Sequence, residues 1–522
     1  MTLILTLEAT VSTARSLDET ASAGVNAGAP THSNMVVDRG GESQGAQQLR
    51  EFFTGDLPSM GAAGEREALK TFYEQRSYVP FWTHDGKPNA KAQQAARYLS
   101  GVAADGLEPA DYPVPRFSDL SKLPEDEVRM GLSVIAFARH ARSGRVAFNR
   151  VNDAISYKPD VPDPERVLAG IEAATDVRLE LESYLPAHEG YRALKAKVAE
   201  LRRGGSSTSH SGLLDTVIAN MDRWRWMPRD LGRTRVEVNI PDYSMKVIAD
   251  DRVIWTTRVI VGKPGEMATP LLSSTLQYIT INPTWNVPPS LIRKEYLPAL
   301  KADPSALRRL GLVMSRGSHG SLQMHQPPGP RNALGRLRFS FPNKFSVYQH
   351  DTPNKALFAQ PARAYSHGCI RVKDPDKYAE ALLSLSQPQE NHTAERIRSL
   401  YGDEETHIKI KAPIQVHLTY QTAFVDAAGE LQQRADIYGW DKDQLTLLRG
   451  GELVAAKAPP TGTGTAAKPQ RAVAEASPKP TSQASALGRR SASGGRSADR
   501  HFRTYSYSNL TADAEARRPD SF

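Results

Sequence analysis

The segment Thr234-Arg-Val-Glu-Val-Asn-Ile240 alternates apolar and polar residues, and Tyr243-Ser-Met-Lys-Val-Ile248 repeats the pattern shortly afterwards. A period of two places successive side chains on opposite faces, so both segments are predicted to be strands with one buried face. Further segments are rich in β-branched and aromatic residues, namely Trp255-Thr-Thr-Arg-Val-Ile-Val261, Leu276-Gln-Tyr-Ile-Thr-Ile281, Phe345-Ser-Val-Tyr348 and Gln415-Val-His-Leu-Thr-Tyr420. Together they predict a mainly β domain over residues 232–440.

The chain before this domain has a helical pattern. Apolar residues recur three and four positions apart in Ala68–Arg76, Val128–Arg139 and Tyr191–Leu201. We therefore expect a helical scaffold domain over 47–203, then a Gly/Ser-rich linker and a connecting helix over 204–231. The predicted fold class is α+β, with a helical N-terminal domain followed by the mainly β domain.

An insertion interrupts the predicted β domain at about 288–338. Its first part, Ser290–Leu300, is compatible with a helix, and its second part contains the Gly/Pro-rich run Gln326-Pro-Pro-Gly-Pro-Arg-Asn-Ala-Leu-Gly335. Long insertions in compact domains are often functional, so this one is predicted to cover a site as a lid.

Both ends of the chain differ in composition from its middle. Residues 1–46 are rich in Ala, Gly, Ser and Thr and are predicted to be disordered, a linker or the remnant of a secretion signal. Residues 441–522 are predicted to form a low-complexity basic tail. From residue 457 onward the tail holds eleven Lys/Arg and five Asp/Glu, which accounts for +6 of the formal net charge of +8. Such a tail can contact anionic surfaces loosely.

The chain contains one cysteine, Cys369, so an intramolecular disulfide is excluded. An isolated cysteine is most often a small buried apolar residue. The local sequence, Tyr365-Ser-His-Gly-Cys-Ile-Arg-Val372, favours a different interpretation. In an extended segment residues two apart point the same way, so His367, Cys369 and Arg371 are predicted to share one face.

These residue types suit thiol chemistry, because a cysteine becomes nucleophilic when a base or a positive field favours its thiolate. Gly368 allows a substrate close to the backbone, and N–H groups around 368–369 are candidates for an oxyanion hole. A second histidine, His350, ends a predicted strand in Val347-Tyr-Gln-His-Asp-Thr-Pro353. Spacing alone does not decide whether His350 or His367 is the base.

Other classes of site have little support in the sequence. One cysteine and scattered histidines do not give the ligand spacing of a metal site, so no metal is expected. No Gly-rich phosphate loop precedes a helix, and the aromatic pairs Phe81/Trp82 and Trp224/Trp226 are interpreted as core, so no nucleic-acid partner is expected. The remaining histidines of the predicted folded region are interpreted as structural or exposed.

The Ser-His-Gly-Cys-Ile-Arg run resembles the active-site signature of L,D-transpeptidases, which have a YkuD-type catalytic domain. The Tyr-Gln-His-Asp-Thr-Pro run is similar to the family segment that carries a general-base histidine. Further segments resemble the large Gram-negative members that bear a scaffold domain, and these are Ala219-Asn-Met-Asp-Arg-Trp-Arg-Trp-Met-Pro228, Val259–Pro264, Asn282–Pro288, Gln326–Pro330 and Asn332–Gly335. The resemblance covers roughly residues 50–440.

The resemblance implies roles for residues around the thiol. Cys369 would be the nucleophile and His350 the base that activates it. His367 and Gly368 would line the site, with backbone amides near Cys369 stabilising an oxyanion.

The resemblance also implies a set of substrate-binding or supporting residues, namely Arg371, Ser366, Tyr365, Trp285 and Asn286. Arg371 would hold the shape of the motif or bind a substrate carboxylate. Ser366 would support a histidine by hydrogen bonding.

The resemblance further implies an enzyme without a cofactor in the periplasm or cell envelope that acts on peptidoglycan stem peptides. Cys369 would release D-Ala, form a thioacyl-enzyme and give 3→3 cross-links, and carbapenems would acylate it. Alternatives remain open: an L,D-carboxypeptidase, an enzyme that joins a lipoprotein to the wall or detaches it, and a non-catalytic wall-binding protein. Many relatives carry a peptidoglycan-binding module where this chain has only the 204–212 linker, and Arg331 and Tyr365 also depart from the family pattern.

Overall fold

The computed structural model describes residues 43–55, 60–203, 208–317 and 321–453. Most of the N-terminal segment predicted to be disordered, and the tail beyond residue 453, lie outside these ranges. Within them, no helix has the length and apolar character needed to cross a membrane.

The α-helices are α1 Gln44–Thr54, α2 Ala63–Gln75, α3 Ala90–Ser100, α4 Leu123–Ser143, α5 Phe148–Val151, α6 Pro164–Ala173, α7 Val177–Glu182, α8 Glu189–Arg203, α9 Thr208–Trp226, α10 Pro289–Leu291, α11 Leu297–Ala302, α12 Ala306–Leu310, α13 Pro375–Ser386, α14 Ala394–Ser399 and α15 Trp440–Leu448. The strands are β1 Thr83–His84, β2 Lys87–Pro88, β3 Ile155–Ser156, β4 Thr234–Asn239, β5 Ser244–Ala249, β6 Arg252–Gly262, β7 Leu271–Thr275, β8 Tyr278–Ile281, β9 Trp285–Asn286, β10 Val313–Arg316, β11 Leu322–Gln326, β12 Leu337–Ser340, β13 Gln349–His350, β14 Ala364–Ser366, β15 Ile370–Val372, β16 Thr406–Lys409, β17 Gln415–Thr419, β18 Ala423–Val425 and β19 Leu431–Gln433.

The helical N-terminal half packs around α4, Leu123–Ser143. The helical segment predicted at Val128–Arg139 lies within this helix. One buried carboxylate organises this packing. Glu127 on α4 accepts hydrogen bonds from the Phe81 and Trp82 amides, the Thr83 hydroxyl and the Tyr73 hydroxyl. Burial raises the pKa of Glu127, and the hydrogen bonds oppose that rise. The residues that precede α3 are thereby fixed to α4.

The C-terminal half is built on one large mixed sheet, in the strand order β16-β8-β12-β13-β15-β6-β5-β4-β17-β7-β3, with β14 also paired to β6. The strands predicted at 234–240, 243–248, 255–261 and 415–420 form β4, β5, β6 and β17, which lie side by side in this sheet. The expected α+β organisation, a helical half followed by a mainly β half, is confirmed. The sheet also takes one strand from the helical half, because β3 pairs in parallel with β7.

Helix α9 joins the two halves through buried polar groups. The Asn220 amide donates to the Thr422 hydroxyl at 2.8 Å, and the Thr422 N–H donates back to the Asn220 oxygen at 2.9 Å. Arg223 pairs with Asp441 at 2.6 Å and also donates to the Tyr420 carbonyl at 3.2 Å. Because buried polar groups need partners, these bonds fix how α9 meets β18 and α15.

Two predictions about local structure are wrong. Residues 441–522 were predicted to form a low-complexity basic tail, yet α15 runs over Trp440–Leu448, with the Trp440 ring packed 4.9 Å from that of Tyr420. Phe345–Tyr348 was predicted to be a strand and is instead a loop, because the Asn343 side-chain oxygen accepts from the amides of residues 345 and 347 and curls the chain. The strand that follows is β13.

Candidate active site

Two adjacent parallel strands, β13 and β15, bring the predicted site residues together. Gln349 lies opposite Ile370, and His350 lies opposite Arg371. Residues opposite each other in a sheet project from the same face, and so do residues two apart on one strand. Cys369 comes two residues before Arg371, and the ladder extends to it because the Ile370 amide donates to the Tyr348 carbonyl at 3.0 Å. His350, Cys369 and Arg371 therefore share one face.

His350 is held as a neutral imidazole with a defined tautomer. Its Nδ1 hydrogen-bonds the Asp351 carbonyl, and a carbonyl only accepts, so Nδ1 carries the proton. The lone pair then lies on Nε2, which is buried and has no hydrogen-bond partner among the described residues. Burial lowers the pKa of His350 to about 3 and the positive charge of Arg371 lowers it further, whereas backbone hydrogen bonds to Asp351 and Leu334 oppose this. The ring is a proton acceptor at neutral pH.

The loop that carries the thiol is shaped by its own side chains. Gly368 has φ of +118°, a conformation that favours glycine. The Ser366 hydroxyl donates to the Cys369 carbonyl at 2.5 Å and accepts from the Gly368 amide at 3.2 Å. We expected Ser366 to support a histidine, but these bonds go to the loop backbone. The Gly368 N–H, one of the amides considered for an oxyanion hole, is engaged within the loop.

A neighbouring segment fixes the same loop from outside. The buried Thr269 hydroxyl donates to the Gly368 carbonyl at 2.7 Å and accepts from the Gly262 amide at 2.8 Å. Gly262 is required here, because a Cβ at that position would lie 1.9 Å from the Met267 carbonyl oxygen. The Thr269 hydroxyl thus connects the backbone of Gly368 to Gly262 at the end of β6.

His367 points toward the insertion. Its Nε2 lies 3.0 Å from the Glu295 carboxylate, and its side chain is only 3% exposed. A carboxylate oxygen accepts, so the Nε2–H donates. The two histidines of the site therefore have different partners, a backbone carbonyl for His350 and an acidic side chain for His367.

Arg371 lies on β15 opposite His350 and is 1% exposed. Burial lowers the pKa of Arg371 to about 10, and negative charge on Cys369 opposes that change. The guanidinium remains a cation at neutral pH, in a position to favour a thiolate. Of the two expected roles, burial favours holding the motif together over binding a substrate carboxylate.

Comparison with known proteins bears on the same region. Residues 233–403 match the YkuD L,D-transpeptidase catalytic domain, and residues 67–197 match a scaffold domain. This chain carries an L,D-transpeptidase catalytic domain behind a scaffold domain. It is 28% identical over 403 residues to a Haemophilus influenzae protein named "Putative L,D-transpeptidase", an alignment that covers 72% of this chain and 78% of that protein.

Solved structures of L,D-transpeptidases align only in part. One from Mycobacterium smegmatis is 14% identical with a TM-score of 0.16 and covers 35% of this chain and 58% of its own. The Ldtfm-avibactam carbamoyl enzyme is 13% identical, with a TM-score of 0.16 and coverage of 41% and 63%. A cysteine-to-serine mutant of an Enterococcus faecium L,D-transpeptidase is 14% identical, with a TM-score of 0.15 and coverage of 40% and 62%. The chain spans less than two thirds of the length of each.

Within the L,D-transpeptidase domain, the other predicted substrate residues lie outside β13 and β15. Trp285 and Asn286 form β9, which belongs to a separate three-stranded sheet with β11 and β10 of the insertion. Trp285 is buried with its ring 6.2 Å from that of Tyr296, whereas Asn286 is exposed. Tyr365 is half-buried on β14, beside β6. Trp285 supports the insertion from within.

Sequence reasoning missed Glu295, Thr269 and the role of Asp351. Asp351, the residue after His350, is fixed in place because its carboxylate accepts from the Arg336 and Thr352 amides at 2.8 and 2.7 Å. The run containing Gly262 was quoted for its resemblance and could have drawn attention to the neighbouring Thr269. Nothing in the sequence signals Glu295, because its partner is 72 residues away.

The described ranges contain no cluster of three or more His, Cys, Asp or Glu that could hold a metal ion. Several histidines outside the site have structural partners. Tyr112 hydrogen-bonds His140 at 2.9 Å, and His417 lies between the Ser273 hydroxyl and the Leu231 carbonyl, at 2.8 Å from each.

Proposed function

We propose that this chain is a peptidoglycan L,D-transpeptidase that forms 3→3 cross-links through a thioester on Cys369. The observation that carries the proposal is the pairing of β13 with β15, which sets His350 opposite Arg371, two residues after Cys369. The tautomer of His350 leaves Nε2 able to accept a proton. A nucleophile beside an oriented base is the arrangement that covalent acyl transfer needs.

In the first half-reaction, His350 accepts the thiol proton and the Cys369 sulfur attacks a stem-peptide carbonyl. That carbonyl joins the third residue, a diamino acid, to the terminal D-Ala. The tetrahedral intermediate collapses, the C–N bond breaks, and the His350 imidazolium returns the proton to the departing D-Ala amine. A thioester to Cys369 remains. The buried cation of Arg371 favours the thiolate before attack.

In the second half-reaction, the side-chain amine of another stem's third residue attacks the thioester. Its proton passes to His350, the C–S bond breaks, and the thiol of Cys369 is restored. Water in place of the amine would give a carboxypeptidase, and a lipoprotein amine would give a wall-anchoring enzyme. No step in this scheme calls for a cofactor. The reaction places the protein in the periplasm or cell envelope, and a carbapenem is expected to acylate the same sulfur.

The proposal is tested by incubating purified sacculi with the full chain and measuring the released muropeptides by mass spectrometry. We expect cross-linked dimers and free D-Ala. Cys369→Ala should give neither, and His350→Asn should slow the reaction by about 10²- to 10⁴-fold, the contribution of a general base. His407→Asn is the matched control, because this histidine is mostly exposed on the edge strand β16.

Each outcome has a distinct meaning. Tripeptides without dimers would assign hydrolysis, and lipoprotein-linked muropeptides would assign anchoring. Unchanged muropeptides with retained binding would make the chain a wall-binding protein. D-Ala release by Cys369→Ala would remove the assignment of Cys369 as nucleophile.

A further inference from the structure

The first helical part of the insertion, residues 289–302, is here called the lid helix. It contacts the surroundings of Cys369 through two neighbouring side chains. Lys294 lies 3.5 Å from Glu266, and Glu295 lies 3.0 Å from His367. Lys294 and Glu266 are 69% and 89% exposed, so solvent screens their attraction. The contact between Glu295 and His367 is sheltered, since His367 is 3% exposed and Glu295 is 29% exposed.

The backbone of the lid helix is unusual at the same point. Residues Ile292–Tyr296 form a π-turn, in which the Leu297 amide donates to the Ile292 carbonyl five residues back. Pro298 accounts for this, because it has no N–H to continue the α-helical pattern. Isolated π-turns within helices are frequent at functional sites. The wide turn carries Glu295 and therefore sets where its carboxylate lies.

The thiol is buried in this structure. Cys369 is 0% exposed, and His367 with its backbone included is 7% exposed. His367 precedes Cys369 by only two residues, so the bond to Glu295 connects the lid helix to the loop that carries the sulfur. A stem peptide cannot reach a fully buried thiol unless part of this cover moves.

We propose that Glu295 is a positioning residue which, by bonding His367, holds the lid helix closed over Cys369 and shields the thioester from water. This inference rests on the proposed function. The thioester is hydrolysed when water attacks its carbonyl, the C–S bond breaks, and Cys369 returns as the thiol. Loss of the Glu295 bond lets the lid helix open and admits water to that carbonyl.

The test uses the full chain acylated with meropenem and follows loss of the adduct by intact-protein mass spectrometry. Glu295→Ala should shorten the adduct lifetime by about 10- to 100-fold, the span expected for loss of a hydrogen bond to a charged group. Glu295→Gln keeps an acceptor oxygen and should stay within about threefold of the parent. Glu266→Ala is the matched control, because it removes a carboxylate from the neighbouring lid contact without touching His367.

A second variant reaches the same contact through the backbone. Pro298→Ala restores an N–H, favours a regular α-turn and should displace Glu295 from His367, with a similar shortening of the adduct lifetime. In a Glu295→Ala background, Pro298→Ala should not shorten the adduct lifetime any further. Melting temperatures of all variants separate this effect from unfolding.

The possible failures are distinguishable. If the parent chain forms no adduct on Cys369, the proposed function fails and takes this inference with it. If the parent forms a stable adduct and folded Glu295→Ala loses it no faster than Glu266→Ala, the inference fails alone. A lifetime shortened equally in Glu295→Gln would also overturn it, because the acceptor oxygen would then be irrelevant.

Discussion

Replacing Thr269 by Val tests how the thiol loop is held. The change keeps the branched shape and removes a hydroxyl that joins the Gly262 amide to the Gly368 carbonyl, at 2.8 and 2.7 Å. Thr269 is 0% exposed, so water cannot replace the lost bonds without rearrangement. Each backbone group left buried without a partner costs about 1–3 kcal/mol. The free energy of unfolding should therefore fall by about 2–6 kcal/mol, a large part of the ~5–15 kcal/mol typical of a domain.

The assay is urea unfolding followed by tryptophan fluorescence, with Thr419→Val as the matched control. Thr419 is a buried strand residue whose hydroxyl makes one hydrogen bond, to the Val238 carbonyl at 3.1 Å, away from the thiol. Its loss should cost about 1 kcal/mol. Equal destabilisation by the two variants would refute the reasoning, because the double bridge at Thr269 would then have no special weight.

Two further predictions follow from buried charge. Asp441→Asn breaks the pair with Arg223 and should lower the free energy of unfolding by about 3–5 kcal/mol. Limited proteolysis should then cleave α15 earlier than in the parent. An unchanged cleavage pattern would mean that α15 does not depend on this pair. Burial lowers the pKa of both His140 and His350 to about 3. Between pH 6.5 and 3 these two histidines therefore bind protons in the unfolded chain but not in the folded one. The free energy of unfolding should fall as the pH falls through that window. His140→Asn should flatten this slope in urea titrations at several pH values, and a slope as steep as the parent's would contradict the assignment to His140.

The sequence predicted features that depend on local patterns. Alternation located β4 and β5 because each has one buried face, and apolar spacing located α4 because it packs one stripe on its neighbours. The strand β7, Leu271–Thr275, was missed because its run of Leu-Leu-Ser-Ser-Thr does not alternate. Phe345–Tyr348 was mistaken for a strand because it is rich in aromatic and β-branched residues, and that composition does not reveal the Asn343 bonds that curl the chain.

The candidate site divides in the same way. The nearness of Cys369 to His367 follows from the chain itself, and the place of His350 came from a motif. Glu295 and Thr269 contact the loop across 72 and 99 residues, and only the folded arrangement of strands and lid helix brings them there. Residues that touch a site through long-range packing leave no pattern in a single sequence.

The helical half contributes the short strand β3, which covers the backbone of β7 at the edge of the large sheet. Ile155 and Ser156 pair with Leu271 and Leu272, and the Leu271 amide donates to the Ala154 carbonyl at 3.0 Å. Without this pairing, β7 would present open backbone N–H and C=O groups next to two leucines, the kind of edge that recruits another chain. A chain cut to begin at residue 208 would keep His350 and Cys369 but leave the backbone of β7 unpaired at the sheet edge. Self-association through that edge is therefore the first defect expected of the isolated C-terminal half.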